Sequence, residues 1–158
     1  MSTLALPTPA PAFGLQPFLQ APNQFQKITL TSAQLLALNG APVTIAAAAG
    51  AGTLLVIDSV SYRYIFNSVA YTIGAAVLRL YIGSVIAGHA LHNNVATGLV
   101  DQAANRVLPT VQIITPTTID TDANYLNQPI VVGNDNATQL TLGNGTLEVM
   151  INYSTLLV

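Results

Sequence analysis

From Ser59 to Phe66 every second residue is large and apolar: Val60, Tyr62, Tyr64 and Phe66 alternate with Ser59, Ser61 and Arg63. Successive side chains of an extended backbone point to opposite faces, so this period predicts a strand with one buried and one wet face. The pattern returns where Ala76, Leu78, Leu80 and Ile82 alternate with Val77, Arg79 and Tyr81. It returns again where Leu147, Val149, Ile151 and Tyr153 alternate with Thr146, Glu148, Met150 and Asn152. Shorter candidate strands are PVTIAAA, VAYTI, TVQII, PIVVG and TQLTL, with turn residues at Asn67-Ser68, Gly74, Gly133-Asn134-Asp135-Asn136 and Gly143-Asn144-Gly145. TLGNGTLEV reads as the clearest hairpin, because Asn and Gly tolerate the positive φ of tight turns. Two longer connections run from His92 to Arg106 and from Thr115 to Gln128. Roughly eight strands with no alternating helices predict an all-β chain, an antiparallel β-sandwich of jelly-roll type, rather than a parallel α/β fold. The absence of a fixed internal period argues against a propeller or solenoid.

One short helix is expected, in ITLTSAQLLALNGAP. Thr31 with Gln34 three residues on matches a capping box, Leu35, Leu36 and Leu38 supply the apolar face, and Asn39-Gly40 before Pro42 ends it. Ahead of it, residues 1–26 carry Pro7, Pro9, Pro11, Pro17 and Pro22 with Gln16, Gln20, Gln24 and Gln26 between them. Proline at this density removes helix and sheet interior, which leaves an extended arm. Phe13, Leu15, Phe18, Leu19 and Phe25 make that arm too apolar to serve only as a solvating tail, so they are the expected contact residues with a neighbouring subunit. The organisation is thus an extended arm over 1–26 and one sandwich domain over 27–158, a length suited to a single core.

Composition narrows the function classes. The chain has four Lys and Arg, six Asp and Glu, and 51% hydrophobic residues, against roughly 25% charged residues in an ordinary soluble protein. The four cations, Lys27, Arg63, Arg79 and Arg106, are scattered, whereas a nucleic-acid binder clusters its cations to displace counterions from phosphates. So apolar a chain would leave large bare patches as a monomer, and an oligomer or assembly component is expected. Solubility must come from Thr, Asn, Gln and Ser. Without cysteine, disulfides, thiolate metal sites and cysteine nucleophiles are excluded. The opening MSTLALPTPAPAFGLQPF has no basic stretch and its apolar residues are broken by prolines, unlike a secretory signal. The sequons at Asn136, Asn144 and Asn152 therefore carry little weight.

VTIAAAAGAGTLLVID, residues 43–58, admits three readings: membrane span, phosphate loop, or two strands and a turn. A span needs about 20 predominantly apolar residues, and Gln34, Asn39-Gly40, Pro42, Thr44 and Gly50 divide the uncharged run from Ile28 to Ile57. The glycines lack the spacing of a dinucleotide fingerprint and no Lys-Ser/Thr follows them. The third reading stands: a close-packed alanine strand, a turn at Gly50-Ala51-Gly52, and a strand from Thr53. Strict alternation then puts Asp58 on the face of Val56, Val60 and Tyr62, where it must leave the core or find a partner.

No constellation for catalysis assembles. His89 and His92 are three apart, so a strand would aim them to opposite sides, and polar surface or interface histidines are the expectation. Asp120-Thr121-Asp122-Ala123-Asn124 copies the start of a calcium loop, but Tyr125 replaces the glycine and Val131 the closing acid. Solvated turns are the plainer reading. No serine has a nucleophile-elbow pattern, and the one glutamate, Glu148, lies on an alternating strand, which leaves no glycosidase-like pair. No catalytic residue, metal or cofactor is expected.

The segment ITLTSAQLLALNGAPVTIAAAAGAGTLLVIDSVSYRY, residues 28–64, resembles a segment of small structural proteins of tailed bacteriophages, in its ITLT run, LLAL helix, Pro-Val-Thr, Gly-Ala-Gly turn and Leu-Val-Ile strand. The C-terminal TLEVMINYSTLLV is compatible with the same group. The resemblance implies a virion component of the decoration or cement type: a jelly roll, commonly trimeric, made in the host cytoplasm and bound to the major capsid protein on the outer head. It implies no catalytic residues, and no nucleic-acid or membrane partner. The Pro/Gln-rich arm is equally at home on a tail or fibre attachment protein, which is the alternative reading.

Overall fold

The computed structural model describes residues 23–86, 89–111, 113 and 124–158. Its elements are β1 (Gln24–Leu30), α1 (Ser32–Ala37), β2 (Val43–Ala46), β3 (Thr53–Ile65), β4 (Tyr71–Thr72), β5 (Arg79–Ile82), β6 (Arg106–Leu108), β7 (Ile130–Gly133), β8 (Thr141–Leu142) and β9 (Thr146–Leu157). Sheet I has the order β1-β9-β3-β6, sheet II the order β2-β7-β5, and β4 and β8 form a two-stranded ribbon. The antiparallel pairs β1·β9, β2·β7 and β3·β6, and the bridge from Tyr81 to Ala90, are nested one inside the next along the chain. Nested pairing of this kind is one long hairpin rolled into two sheets, the connectivity of a jelly roll. The expected all-β antiparallel sandwich with one short helix is the fold observed.

The alternating residues do what their spacing predicts. Val60, Tyr62 and Tyr64 of β3, Leu80 and Ile82 of β5, and Leu147, Val149 and Ile151 of β9 fill one core between the sheets. At α1 both halves of the capping box form: Gln34 N donates to Thr31 Oγ1 at 3.3 Å, and Thr31 N donates to Gln34 Oε1 at 2.9 Å. This satisfies two amides at the helix start and leaves Leu35 buried beneath it.

Asp58 is resolved by a bulge. Pairing steps from Ile57 opposite Tyr153 to Ser59 opposite Asn152, so Asp58 is the extra residue of β3. The bulge resets the alternation: Leu55 faces the core before it, Val60 after it, and Val56 and Asp58 are both exposed. The expectation that Asp58 and Val56 share the face of Val60 and Tyr62 is therefore corrected.

Other expectations also change. Gln24, Phe25 and Gln26 are not arm but the start of β1, paired residue by residue with β9. Strand β6 falls at the end of what reads as a long connection, while Val111 and Ile113 of TVQII lie outside any strand. The TLGNGTLEV hairpin does not form, since β8 pairs with β4 rather than β9. Of the alanine run only Ala46 is buried; Ala47, Ala48 and Ala49 are exposed and irregular. They form a corner between the sheets, with Gly50 and Gly52 at positive φ.

Candidate interaction surface

Both histidines are buried, which corrects their reading as surface groups: His89 lies against the ring of Tyr125, centroids 5.5 Å apart, and His92 is fully enclosed. The Nδ1–H of His92 donates to the Asn93 carbonyl at 2.6 Å, which makes Nε2 the acceptor. That nitrogen receives the Leu80 amide at 3.0 Å and the Tyr62 hydroxyl at 2.6 Å. One imidazole thus clips β3 of sheet I to β5 of sheet II. Burial holds its pKa down at about 4, opposed by the bond to Asn93 and helped by Arg79, so the ring is neutral. Burial likewise raises Tyr62, with Tyr81 adding to it, and pushes Tyr71 up to about 12. These phenols are hydrogen-bonding groups rather than acids. Among the described residues no three His, Asp or Glu come together as a metal site. Asp120 and Asp122 lie outside the described residues.

The amides serve as long-range staples as well as binding their own local backbone, as Asn94 Oδ1 does in accepting from Ala96 N at 2.9 Å and Asn134 Oδ1 in accepting from Asn136 N at 3.0 Å. Asn134 Oδ1 accepts from Val77 N at 3.1 Å, Asn94 Oδ1 from Leu78 N at 2.9 Å, and Asn127 Oδ1 from Gly50 N at 3.0 Å. Asn144 Oδ1 accepts from both Ser68 N and Val69 N, at 3.0 and 2.9 Å. Gly143, at φ 77, passes under the Tyr71 ring, leaving no room for a Cβ. In a chain so short of charge, these neutral groups satisfy backbone amides where loops cross, part-buried at Val77 and Leu78 and exposed at Gly50, Ser68 and Val69. Sequence reasoning missed them because their partners are distant along the chain.

Among the described residues, five charged side chains form ion pairs. On the outer face of sheet I, Glu148 meets Lys27 Nζ at 2.6 Å and Arg63 at 3.4 Å, and near sheet II Arg79 meets Asp135 at 3.2 Å. The Lys27 ammonium, foremost through its hydrogen bond, holds the Glu148 carboxyl below its usual value, with Arg63 assisting and burial opposing. A cleft of about 230 Å³ lies beside β6, lined in part by Asn94, Thr97, Leu99 and Arg106. Arg106 is its one ionisable lining group, and it donates to Gln102 Oε1 at 3.0 Å. The cleft therefore offers no acid–base pair.

What the surface does offer is apolar. Cross-strand partners share a face, so Phe25 opposite Asn152, Val56 opposite Ser154 and Leu54 opposite Leu156 all lie on the outer face of sheet I. Phe25 is 62% exposed and Val56 38%, and Leu157 and Val158 are exposed at the same end of the sheet. Of the expected contact residues, Phe25 is thus found outward-facing and bare, while Phe13, Leu15, Phe18 and Leu19 lie outside the described residues. Val69 and Leu142 are exposed at the opposite end, beside the ribbon.

No family model matches the chain and no curated protein is similar to it. Among solved structures it is similar to a chain described as the capsid asymmetric unit of cyanophage Pam1, with 13% identity, a TM-score of 0.41, and coverage of 96% of this chain and 93% of that one.

Proposed function

We propose that the chain is a non-enzymatic virion structural protein, a capsid decoration or cement protein that binds the outer surface of the assembled phage head and stabilises it. The observation that carries this reading is the outer face of sheet I, where Phe25 and Val56 stand exposed with Leu157 and Val158 at the same end of the sheet. The sequence resemblance over residues 28–64 supplies the kind of assembly. Its partners are the major capsid protein and further copies of itself, arranged as a trimer, and its place is the capsid surface after synthesis in the host cytoplasm. Phe13, Leu15, Phe18, Leu19 and Phe25 are its contact residues.

A ligand that binds only the assembled shell stabilises that shell by linkage, about 2.7 kcal/mol per site at a hundredfold excess over Kd. Several contacts on one oligomer raise the effective concentration of the rest. The test mixes purified protein with undecorated capsids and follows co-sedimentation and the shell's melting temperature, beside a variant lacking residues 1–22. Deletion must stop there, because Gln24 already pairs with Tyr153 in sheet I. The full-length chain should co-sediment and raise the melting temperature; if it does neither, the cement reading is wrong.

A further inference from the structure

Sheet I ends at β1, seven residues long, with no proline in it and no break in its register with β9. Which of its backbone groups face outward follows from hydrogen bonds elsewhere in the sheet. The Val158 amide donates to the Gly52 carbonyl at 2.8 Å, one step beyond the pair of Thr53 with Leu157. In an antiparallel ladder every second pair is bonded in this way, so Leu156, Ser154, Asn152, Met150 and Glu148 turn their backbone groups to β3. The carbonyls of Thr53 and Val60 agree, since they accept from Asn127 and Val111 on the other side of β3. Tyr153, Ile151, Val149 and Leu147 therefore turn to β1, where Gln24, Gln26, Ile28 and Leu30 meet them.

That leaves the N–H and C=O of Phe25, Lys27 and Thr29 pointing away from the sheet, and among the described residues no backbone group bonds to them. All three side chains are exposed. An open edge of this kind is a template for a further strand. Lys27 would ordinarily guard it, but its charge is offset by Glu148 at 2.6 Å.

Two observations choose the occupant. First, β1 itself bars a tight return of the chain that precedes it. The first outward group is that of Phe25, so the turn would have to include Gln24, which is extended and paired with Tyr153. Second, another β1 running antiparallel about a two-fold axis brings the same groups at the same two-residue spacing, and charge selects its register. An axis through Lys27 would set two ammonium groups opposite each other on one face. An axis through Gln26 instead sets Phe25 opposite Lys27 of the second copy, and Asn23 opposite Thr29. The lysine stem and ammonium then lie against a ring that is 62% exposed in the single chain.

We infer that two copies of this chain join edge to edge through β1, about an axis at Gln26, so that their two copies of sheet I become one continuous sheet. This goes beyond the proposed function, because a two-fold contact joins copies that belong to different trimers. It is tested on the free full-length protein with no capsid present, and its failure leaves shell binding as a separate result.

Across such an axis the two Gln26 residues form a pair without hydrogen bonds, with Cα atoms about 4.5 Å apart, a separation that a disulfide can span. The chain has no native cysteine, so Gln26→Cys carries a single thiol and cannot form a link within one chain. Under mild oxidation with copper phenanthroline it should give a disulfide-linked dimer on a non-reducing gel, whereas Ala48→Cys, at an exposed corner, should stay unlinked. In sedimentation equilibrium Phe25→Lys, which sets like charges opposite each other, should weaken self-association about tenfold, while Phe25→Glu, which meets Lys27 with a carboxylate, should leave it within about threefold. No dimer from Gln26→Cys, as when residues 1–22 or another protein hold the edge, would overturn the inference. So would equal linking of Ala48→Cys, or Lys and Glu variants that behave alike.

Discussion

The two sheets face outward in opposite ways. On sheet II all of β7, from Ile130 to Gly133, is buried on both sides. Its outer residues Tyr81 and Val131 pack with Ala90, and Val85 closes over them from the chain's own connection after β5. The fit depends on Gly133, where an added Cβ would stand 2.8 Å from Val85. On sheet I the strands are longer, 13 residues in β3 and 12 in β9, yet their outer face carries a small ionic cluster, the Ser59–Asn152 hydrogen bond, exposed Asp58 and the apolar end around Phe25 and Val56. One sheet is thus finished by its own chain, while the other leaves Phe25 and Val56 exposed, at 62% and 38%. A sandwich needs both inner faces, but an outer face only has to be wet, covered or shared.

The sharpest way to break this contrast is to remove a large side chain from each outer face and compare. Tyr81 is fully buried, and truncating a buried aromatic costs roughly 3–5 kcal/mol through lost burial and the cavity left behind. Tyr81→Ala should therefore lower the urea midpoint severely. Val56→Ser on sheet I should change the isolated domain's stability by no more than about 0.5 kcal/mol, the range of surface substitutions. Equal effects from the two would mean that both outer faces are covered alike.

A second measurement sharpens how the sheets are joined. His92 is held neutral in the fold at about 4, against 6.5 when free. The unfolded chain therefore binds a proton that the folded chain refuses as pH falls through that interval. Stability should fall from pH 6.5 to about 4 and then level, by roughly 3 kcal/mol in all. The check is urea unfolding at pH 7 and pH 4 for the natural chain and for His92→Asn, whose difference isolates the imidazole from carboxylates. An identical loss in both would show that His92 does not carry the acid sensitivity.

This clip shows what kind of information the sequence holds. Tyr62, Leu80 and the Thr31–Gln34 box were legible because their signals are periods and spacings within a dozen residues. That His92 would be buried was not, because its partners sit 30 residues away on β3 and 12 away on β5. The same limit hid β1, whose QFQKITL follows a proline-rich run and becomes a strand only through its register with β9. It hid the bulge as well: Asp58 breaks the alternation of β3 by one residue, and only the partner strand shows that the extra residue lies there. For the interaction surface, composition announced that apolar residues would be exposed. Register was needed to place Phe25, Leu54 and Val56 together on the outer side of sheet I.

The smallest effect belongs to the ionic cluster of that outer face, and it tests whether charge or apolar surface defines it. Glu148 is largely enclosed, but the side chains of Lys27 and Arg63 are 43% and 50% exposed, so solvent screens both pairs. Exposed pairs of this kind contribute roughly 0–1 kcal/mol. The Glu148 carboxyl is held below its usual 4.5, so its contribution is complete above that value and is lost as pH falls through the lower, folded one. Lys27→Ala should cost less than about 1 kcal/mol at low salt, and the difference should shrink further in about 1 M salt, where the Debye length is near 3 Å. A loss comparable with that of Tyr81→Ala, or one indifferent to salt, would make Lys27 a packing residue. The outer face of sheet I would then be finished by its own side chains, as sheet II is by its connection, rather than left for a partner.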